Sequence, residues 1–130
     1  MPRPKQATPT AGELEILQVL WKRGTATVRD VADELSASRP RAYTSVMTLL
    51  NVMADKGLVT REPQGRAFLY RPARTRDKTL RGMVKDLLAR AFDGSTSALV
   101  AQLLQQTRPS ADELAAIRQA LDEYQQREER

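Results

Sequence analysis

Cysteine and histidine are both absent from the 130 residues of this chain. The lack of cysteine excludes disulfides, thiol redox chemistry and cysteine-based metal sensing. The lack of histidine removes the usual general base and the most common metal ligand, which leaves only carboxylate, lysine or tyrosine chemistry. No nucleophile–base pair or metal cluster is visible, so the sequence predicts that the protein is not an enzyme and uses no metal or cofactor.

Aromatic residues and long apolar runs are also scarce. The chain has one tryptophan, three tyrosines and two phenylalanines, too few for the interleaved basic and aromatic pattern of proteins that bind single-stranded nucleic acid. No apolar run approaches the ~20 residues that a membrane-spanning helix needs. No signal peptide is recognisable either, and we therefore expect a cytoplasmic protein.

Positive charge, in contrast, is in excess and is unevenly distributed. The formal net charge is +5; residues 1–76 contain thirteen basic and seven acidic residues, whereas residues 77–130 contain eight and nine. A basic balance favours an anionic partner such as nucleic acid. The distribution predicts that this partner binds the first part of the chain.

Start and stop signals divide the first sixty residues into three short helices. Thr10 begins the first with the spacing of a capping box, and Gly24 ends it. Thr27 begins the second, and a turn at 36–40 precedes a third helix predicted over 41–56. The apolar residues recur at helical spacing in all three: Leu14, Leu17, Leu20 and Trp21; Val28, Val31, Ala32 and Leu35; Ala42, Val46, Leu49, Leu50 and Met53. Two short helices separated by a tight turn indicate a helix-turn-helix.

Two β-prone runs follow at 58–62 and 67–71, joined by a turn that contains Pro63 and Gly65. We interpret them as a β-hairpin, which in this position is the wing of a winged helix. The predicted fold class is mainly α: an α+β winged helix-turn-helix with a two-stranded wing, followed by an all-α dimerisation tail. The predicted domains are a flexible N-terminal arm (1–9), a DNA-binding domain (10–73) and a dimerisation domain (74–126).

The tail carries apolar stripes at helical spacing, and its three predicted helices are too short to bury these stripes on one another. A second copy of the chain is the preferred partner, so we predict a homodimer; folding back onto the winged helix is the alternative. The predicted dimerisation residues are Leu80, Met83, Leu87, Leu99, Leu103, Leu114, Ile117 and Leu121.

The outer face of the third helix carries small uncharged side chains, among them Asn51, and no acidic residue occurs between Glu34 and Asp55. An ordinary solvated face mixes acidic with basic residues, whereas a face that approaches phosphates excludes carboxylates. This pattern predicts a helix that enters the major groove of double-stranded DNA. Arg66 lies at the predicted wing tip, in a second acid-free stretch at 63–76. The predicted DNA-binding residues are Arg39, Arg41, Tyr43, Thr44, Ser45, Thr48 and Arg66.

Taken together, these segments resemble the BlaI/MecI/CopY family of bacterial repressors. The resemblance rests on GELEILQVLW (12–21), TVRDV (27–31), AYTSVMT (42–48), KGLV (56–59), GRAFLYRP (65–72) and SALV (97–100). It implies a homodimer that binds a palindromic operator, with recognition contacts from Thr44, Ser45 and Thr48 and a wing contact from Arg66. It also implies regulation of antibiotic resistance or related genes. Relief of repression would follow when a membrane-bound sensor protease triggers cleavage between Gln102 and Leu103.

Two other functions compete with this interpretation. One is a ligand-sensing winged-helix regulator of another family, whose tail would enclose an apolar pocket. The other is a winged helix that serves only as a protein-interaction module, which would show no salt-dependent binding to duplex DNA.

Overall fold

The computed structural model describes residues 8–129, so most of the predicted arm at 1–9 lies outside the described residues. The elements are α1 (Ala11–Arg23), α2 (Val28–Ser36), α3 (Tyr43–Lys56), β1 (Val59–Gln64), β2 (Ala67–Pro72), α4 (Arg76–Ala91), α5 (Thr96–Thr107) and α6 (Ala111–Glu128). This order confirms the predicted fold class. The chain forms two compact units whose boundary lies within α4, between Asp86 and Leu87; the functional division proposed at 73/74 stays a prediction.

Local signals at the helix ends are confirmed. The Thr10 hydroxyl accepts a hydrogen bond from the backbone N–H of Glu13, and Glu13 Oε1 accepts one from the backbone N–H of Thr10. A second capping box, not predicted from the sequence, joins Thr27 and Asp30. The backbone N–H of Thr27 donates to Asp30 Oδ2, and the backbone N–H of Asp30 donates to Thr27 Oγ1, both at 3.1 Å. Gly57 ends α3 with a φ of +83°, a left-handed conformation that glycine adopts without steric cost.

The start of α3 was predicted wrongly, since the helix begins at Tyr43 and not at residue 41. Ala42 has an extended backbone (ψ 136°) and is exposed, so it does not belong to the apolar stripe. The reason is a long-range contact: the Arg41 guanidinium bonds to Glu15 in α1, and the Arg41 N–H donates to Ser36 Oγ at 3.4 Å. These contacts hold the chain before Tyr43 out of the helix.

The core of the first unit is formed by one face of each of the first three helices and by the inner face of the hairpin. Its buried apolar side chains are Ile16, Leu17, Val19, Leu20, Ala26, Val28, Val31, Ala32, Leu35, Val46, Leu50, Met53, Val59 and Tyr70. The predicted stripe of α2 is buried completely. In α1 the buried set includes Ile16 and Val19, which the prediction omitted, whereas Leu14 and Trp21 are half-buried.

The hairpin is antiparallel, with Val59 opposite Pro72 and Arg61 opposite Tyr70. Its two-residue turn is Gly65–Arg66, and Gly65 has a φ of +62°. A positive φ at the first turn residue alone is the feature of a type II′ turn, which favours glycine at this position. Backbone hydrogen bonds of 3.0 and 2.8 Å between Ala26 and Tyr70 attach the hairpin to the segment before α2.

A buried ion pair links the first turn of α1 to the last turn of α3. Lys56 Nζ lies 2.8 Å from Glu13 Oε2 and 3.1 Å from Glu13 Oε1, and Glu13 is 1% exposed. Burial by itself raises the pKa of a carboxyl group, but the hydrogen bonds from Lys56 and Thr10 and the charge of Lys56 outweigh it. The pKa of Glu13 is therefore lowered below its ordinary value, so the carboxylate is ionised at neutral pH.

The helical tail has no fully buried residue within α4, α5 or α6. Its large exposed apolar side chains are Val84, Leu87, Val100, Leu103, Leu104, Ile117, Leu121 and Tyr124. A large part of these stripes is therefore exposed in the single chain, as expected of short helices. No helix in the described part of the chain has the length and apolar character needed to cross a membrane.

Substitution of Glu13 by glutamine is expected to lower the free energy of unfolding by about 2–3 kcal/mol, because it leaves the largely buried ammonium of Lys56 without its counter-charge. Urea unfolding followed by circular dichroism measures this loss. The matched control is Glu113→Gln, an exposed residue at the same position of α6, which should change the value by less than about 0.5 kcal/mol. An equal effect of the two substitutions would show that the ion pair contributes nothing.

The same carboxylate makes stability depend on pH. Because the pKa of Glu13 is lower in the folded chain than the ordinary value of 4.5, the unfolded chain binds more protons in acid, and stability falls as the pH drops. The contribution is complete above about pH 4.5 and is lost as the pH falls through the lowered folded value. The difference in unfolding free energy between wild type and Glu13→Gln should therefore shrink below that pH; a constant difference would contradict the assignment.

Candidate nucleic-acid interface

The outer face of α3 exposes the small hydroxyl side chains as predicted. Thr44, Ser45 and Thr48 are exposed, whereas Val46 and Leu50 on the opposite side are buried. No aspartate or glutamate occurs between Tyr43 and Ala54. Over residues 43–54 the helix therefore presents a face that combines hydrogen-bonding groups with the absence of negative charge, and the exposed Asp55 follows on the same side in its last turn.

Asn51 does not belong to this outer face, which corrects the sequence analysis. It is half-buried, and its Oδ1 accepts hydrogen bonds from Arg61 Nη1 at 2.7 Å and from the Tyr70 hydroxyl at 3.1 Å. Arg61 and Tyr70 lie opposite each other in the hairpin. Asn51 therefore connects the middle of α3 to the hairpin, an arrangement that the spacing of residues in the sequence does not reveal.

The two arginines before α3 differ in their surroundings. The Arg39 side chain is exposed, with Nη2 3.7 Å from Glu15 Oε1. The Arg41 side chain is only 16% exposed; its Nη2 contacts Glu15 Oε2, and its buried Nε has no hydrogen-bond partner among the described residues. A contact between Arg41 and DNA requires phosphate to compete with Glu15, and this contact stays a prediction.

The hairpin presents different charges on its two faces. Arg66 is exposed at the turn. Arg71 lies on the face that also carries Glu62, and the two form an ion pair of 3.0 Å. Arg61 lies on the opposite face with Tyr70, next to α3. The charge of Arg71 is therefore neutralised by an ion pair on one face of the hairpin. Arg61 lies on the other face, next to α3.

A groove with a volume of about 410 Å³ lies between α2, α3 and the hairpin. Three arginines line it (Arg29, Arg61 and Arg66), together with the aromatic rings of Tyr43 and Phe68, and no carboxylate is among its described lining residues. Neither Arg29 nor Arg61 is among the DNA-binding residues predicted from the sequence. The acid-free stretch at 63–76 indicated that the hairpin contacts DNA. Arg61 lies just before this stretch and next to Glu62, so the charge pattern did not identify it.

The connector between hairpin and tail is fixed by Trp21, whose indole Nε1 donates to the backbone oxygen of Arg74 at 3.0 Å. Trp21 is half-buried against the core. This side chain therefore has a structural role and is not a platform for stacking bases. In the described part of the chain, no group of three or more acidic residues is arranged to hold a metal ion.

The predicted dimerisation residues all lie on the tail helices with partial or full exposure. Leu80, Met83, Leu99 and Leu114 are half-buried, whereas Leu87, Leu103, Ile117 and Leu121 are exposed. The predicted cleavage bond, Gln102–Leu103, lies inside α5, and both of its residues are exposed. A protease would have to unfold α5 locally to reach this bond.

Comparison with known proteins gives consistent matches. A family model described as penicillinase repressor matches residues 9–123. A protein of Mycobacterium tuberculosis named transcriptional regulator BlaI is 42% identical over 118 residues, which cover 88% of this chain and 84% of that protein. The penicillinase repressor of Bacillus licheniformis is 26% identical over 115 residues, with 88% and 90% covered.

Solved structures show the same fold. The solution structure of the DNA-binding domain of the repressor BlaI matches with a TM-score of 0.51 and 27% identity, and covers 56% of this chain and 89% of that one. MarR from E. coli matches with a TM-score of 0.51 over 88% of this chain and 76% of that one. At 19% identity, the second match is informative about the fold alone.

Proposed function

The chain belongs to the penicillinase repressor family, and we propose that it represses transcription by binding double-stranded DNA with α3 and the hairpin. Family membership makes it a DNA-binding transcriptional repressor of the BlaI/MecI group. The alternative of a regulator from another family is thereby excluded. The observation that carries the proposed binding mode is the outer face of α3 over residues 43–54, which has exposed hydroxyl groups and no carboxylate.

In this proposal α3 lies in the major groove. Thr44, Ser45 and Thr48 are short, so they let the helix approach closely, and their hydroxyl groups both donate and accept hydrogen bonds to base edges. Arg66 extends from the hairpin turn to the sugar–phosphate backbone or the minor groove. Arg39 and Tyr43, both exposed at the N-terminal end of α3, contact the backbone beside the groove.

We further propose that two chains bind a palindromic operator as a homodimer. Residues 10–73 bind DNA, and residues 74–126 dimerise through the apolar stripes that a single chain leaves exposed. The two copies of α3 then lie one helical turn of DNA apart, about 34 Å. Such a dimer blocks a promoter by occupying it, and its site of action is the cytoplasm, where the chromosome lies.

Cleavage between Gln102 and Leu103 would relieve repression by removing much of the dimer interface. Helix α5 has no buried residue, so its local unfolding in front of a protease has a low cost within one chain. The separated fragments would lose affinity for the operator because each half-site is then bound alone. A membrane-bound sensor protease is the partner proposed for this step.

Thr48→Ala is expected to change the preference among operator variants, since a hydroxyl that contacts a base edge discriminates between sequences by about 0.5–1.5 kcal/mol. Arg66→Ala is expected to weaken binding to all sequences alike and to reduce the slope of log K against log salt by about one for each bound chain. Fluorescence anisotropy with a panel of duplexes measures both. If Thr48→Ala weakens binding to all sequences equally, Thr48 does not read bases.

Leu103→Asp is expected to disrupt the homodimer and to lower affinity for a full operator by roughly 10²-fold or more, through lost avidity. Affinity for a single half-site should stay unchanged, because the substitution lies outside the first unit. Gln105→Asp, at an exposed position of the same helix, introduces the same charge and should have little effect. Sedimentation analysis measures the oligomeric state; a wild-type chain that stays monomeric at micromolar concentration would overturn the proposal.

A further inference from the structure

Two of the arginines that line the groove between α2, α3 and the hairpin, Arg29 and Arg61, have no role in the function proposed so far. Arg29 is in the first turn of α2, and Arg61 is in β1; both are exposed. The position of Arg29 requires explanation, because an arginine in the first turn of a helix lies at the positive end of the helix dipole, where its charge is unfavourable. A residue that opposes a local preference is a candidate for a functional contact.

Each of these arginines is held over an aromatic ring. The Arg29 guanidinium carbon lies 4.6 Å from the centre of the Tyr43 ring, and the Arg61 guanidinium carbon lies 4.9 Å from the centre of the Phe68 ring. A cation–π contact orients the flat guanidinium group without using all of its N–H donors. The remaining donors are available to an anion in the groove.

Arg61 has a second restraint. Its Nη1 donates to Asn51 Oδ1, and the same oxygen accepts from the hydroxyl of Tyr70, whose side chain is 1% exposed. The buried tyrosine therefore fixes the amide of Asn51, and the amide fixes the direction of the guanidinium. The hydrogen bond to Asn51 and the contact with the Phe68 ring together orient the Arg61 guanidinium.

Some other arginines of the first unit, unlike these two, have carboxylate partners. Arg23 pairs with Asp30 and Glu34, Arg41 pairs with Glu15, and Arg71 pairs with Glu62. Within residues 8–129, no carboxylate lies within ion-pair distance of Arg29 or Arg61, two of the three arginines that line the groove. The groove therefore combines fixed positive charges with the absence of a competing anion from the protein.

We propose that this groove binds the sugar–phosphate backbone of one DNA strand, with Arg29 and Arg61 each contacting a phosphate and Asn51 acting as the residue that positions Arg61. The proposal rests on the proposed function, since it assumes that α3 occupies the adjacent major groove. The guanidinium geometry suits two parallel hydrogen bonds to a phosphate. Because backbone contacts are the same for every sequence, this site adds affinity and fixes the orientation of α3 without reading bases.

The test is a titration of the full-length chain with an operator duplex and with an unrelated duplex, over a range of salt concentrations. Arg29→Ala and Arg61→Ala should each weaken binding to both duplexes by about tenfold, and each should reduce the salt slope by about one per bound chain. Arg61→Lys should retain most of the slope but bind more weakly, because lysine keeps the charge and loses the planar donor pair.

Arg71→Ala is the matched control, since it removes the same charge from the same hairpin, but on the opposite face and from an ion pair with Glu62. It should change affinity less than twofold. If Arg29→Ala and Arg61→Ala behave like Arg71→Ala while Arg66→Ala still weakens binding, the groove proposal is wrong and the repressor function stands. If the wild-type chain binds no duplex in a salt-dependent way, both are wrong.

The positioning role of Asn51 needs a separate readout. Asn51→Ala should reduce the salt slope in the wild-type background and leave it unchanged in the Arg61→Ala background, because the two residues act as one unit. A purely structural role would lower the melting temperature and would weaken binding to the same extent in both backgrounds. That second pattern would overturn the positioning role.

Discussion

The proposed binding surface depends on keeping negative charge away from the outer face of α3 over residues 43–54 and from the adjoining groove. Three nearby carboxylates are paired on other faces. Glu13 is buried against Lys56, Glu15 contacts Arg39 and Arg41 beside α1, and Glu62 pairs with Arg71 on the far side of the hairpin. What remains is a surface of hydroxyl groups and arginines that matches a polyanion.

The same polar contacts hold α3 in position. Lys56 bonds the last turn of α3 to α1, and Asn51 bonds the middle of α3 to the hairpin. Arg41 bonds the segment just before α3 to α1. Each contact joins residues that are far apart in the sequence, so they add to the buried apolar stripe of α3 in fixing its direction. In the proposed complex, a helix that is held in this way needs little rearrangement to bind DNA, which lowers the entropic cost of complex formation.

The sequence predicted those parts of the structure that depend on neighbouring residues. The ends of the first two helices follow from Thr10, Gly24 and Thr27, and the hairpin follows from Gly65 and the β-prone runs on either side. Predictions failed where a residue distant in the sequence determines the local structure. Arg41 bonds to Glu15, and α3 begins only at Tyr43. Asn51 faces the hairpin because it bonds to Arg61 and Tyr70. The groove arginines were missed for the same reason, since their aromatic partners become neighbours only in the folded chain.

The central claim, that α3 and the hairpin form one cationic surface for duplex DNA, is tested most directly by the salt dependence of wild-type binding. We expect log K to fall linearly with log salt, with a slope of about −0.9 for each phosphate contacted, for operator and unrelated duplexes alike. The operator should bind more tightly at every salt concentration. An affinity that is indifferent to ionic strength would contradict the account.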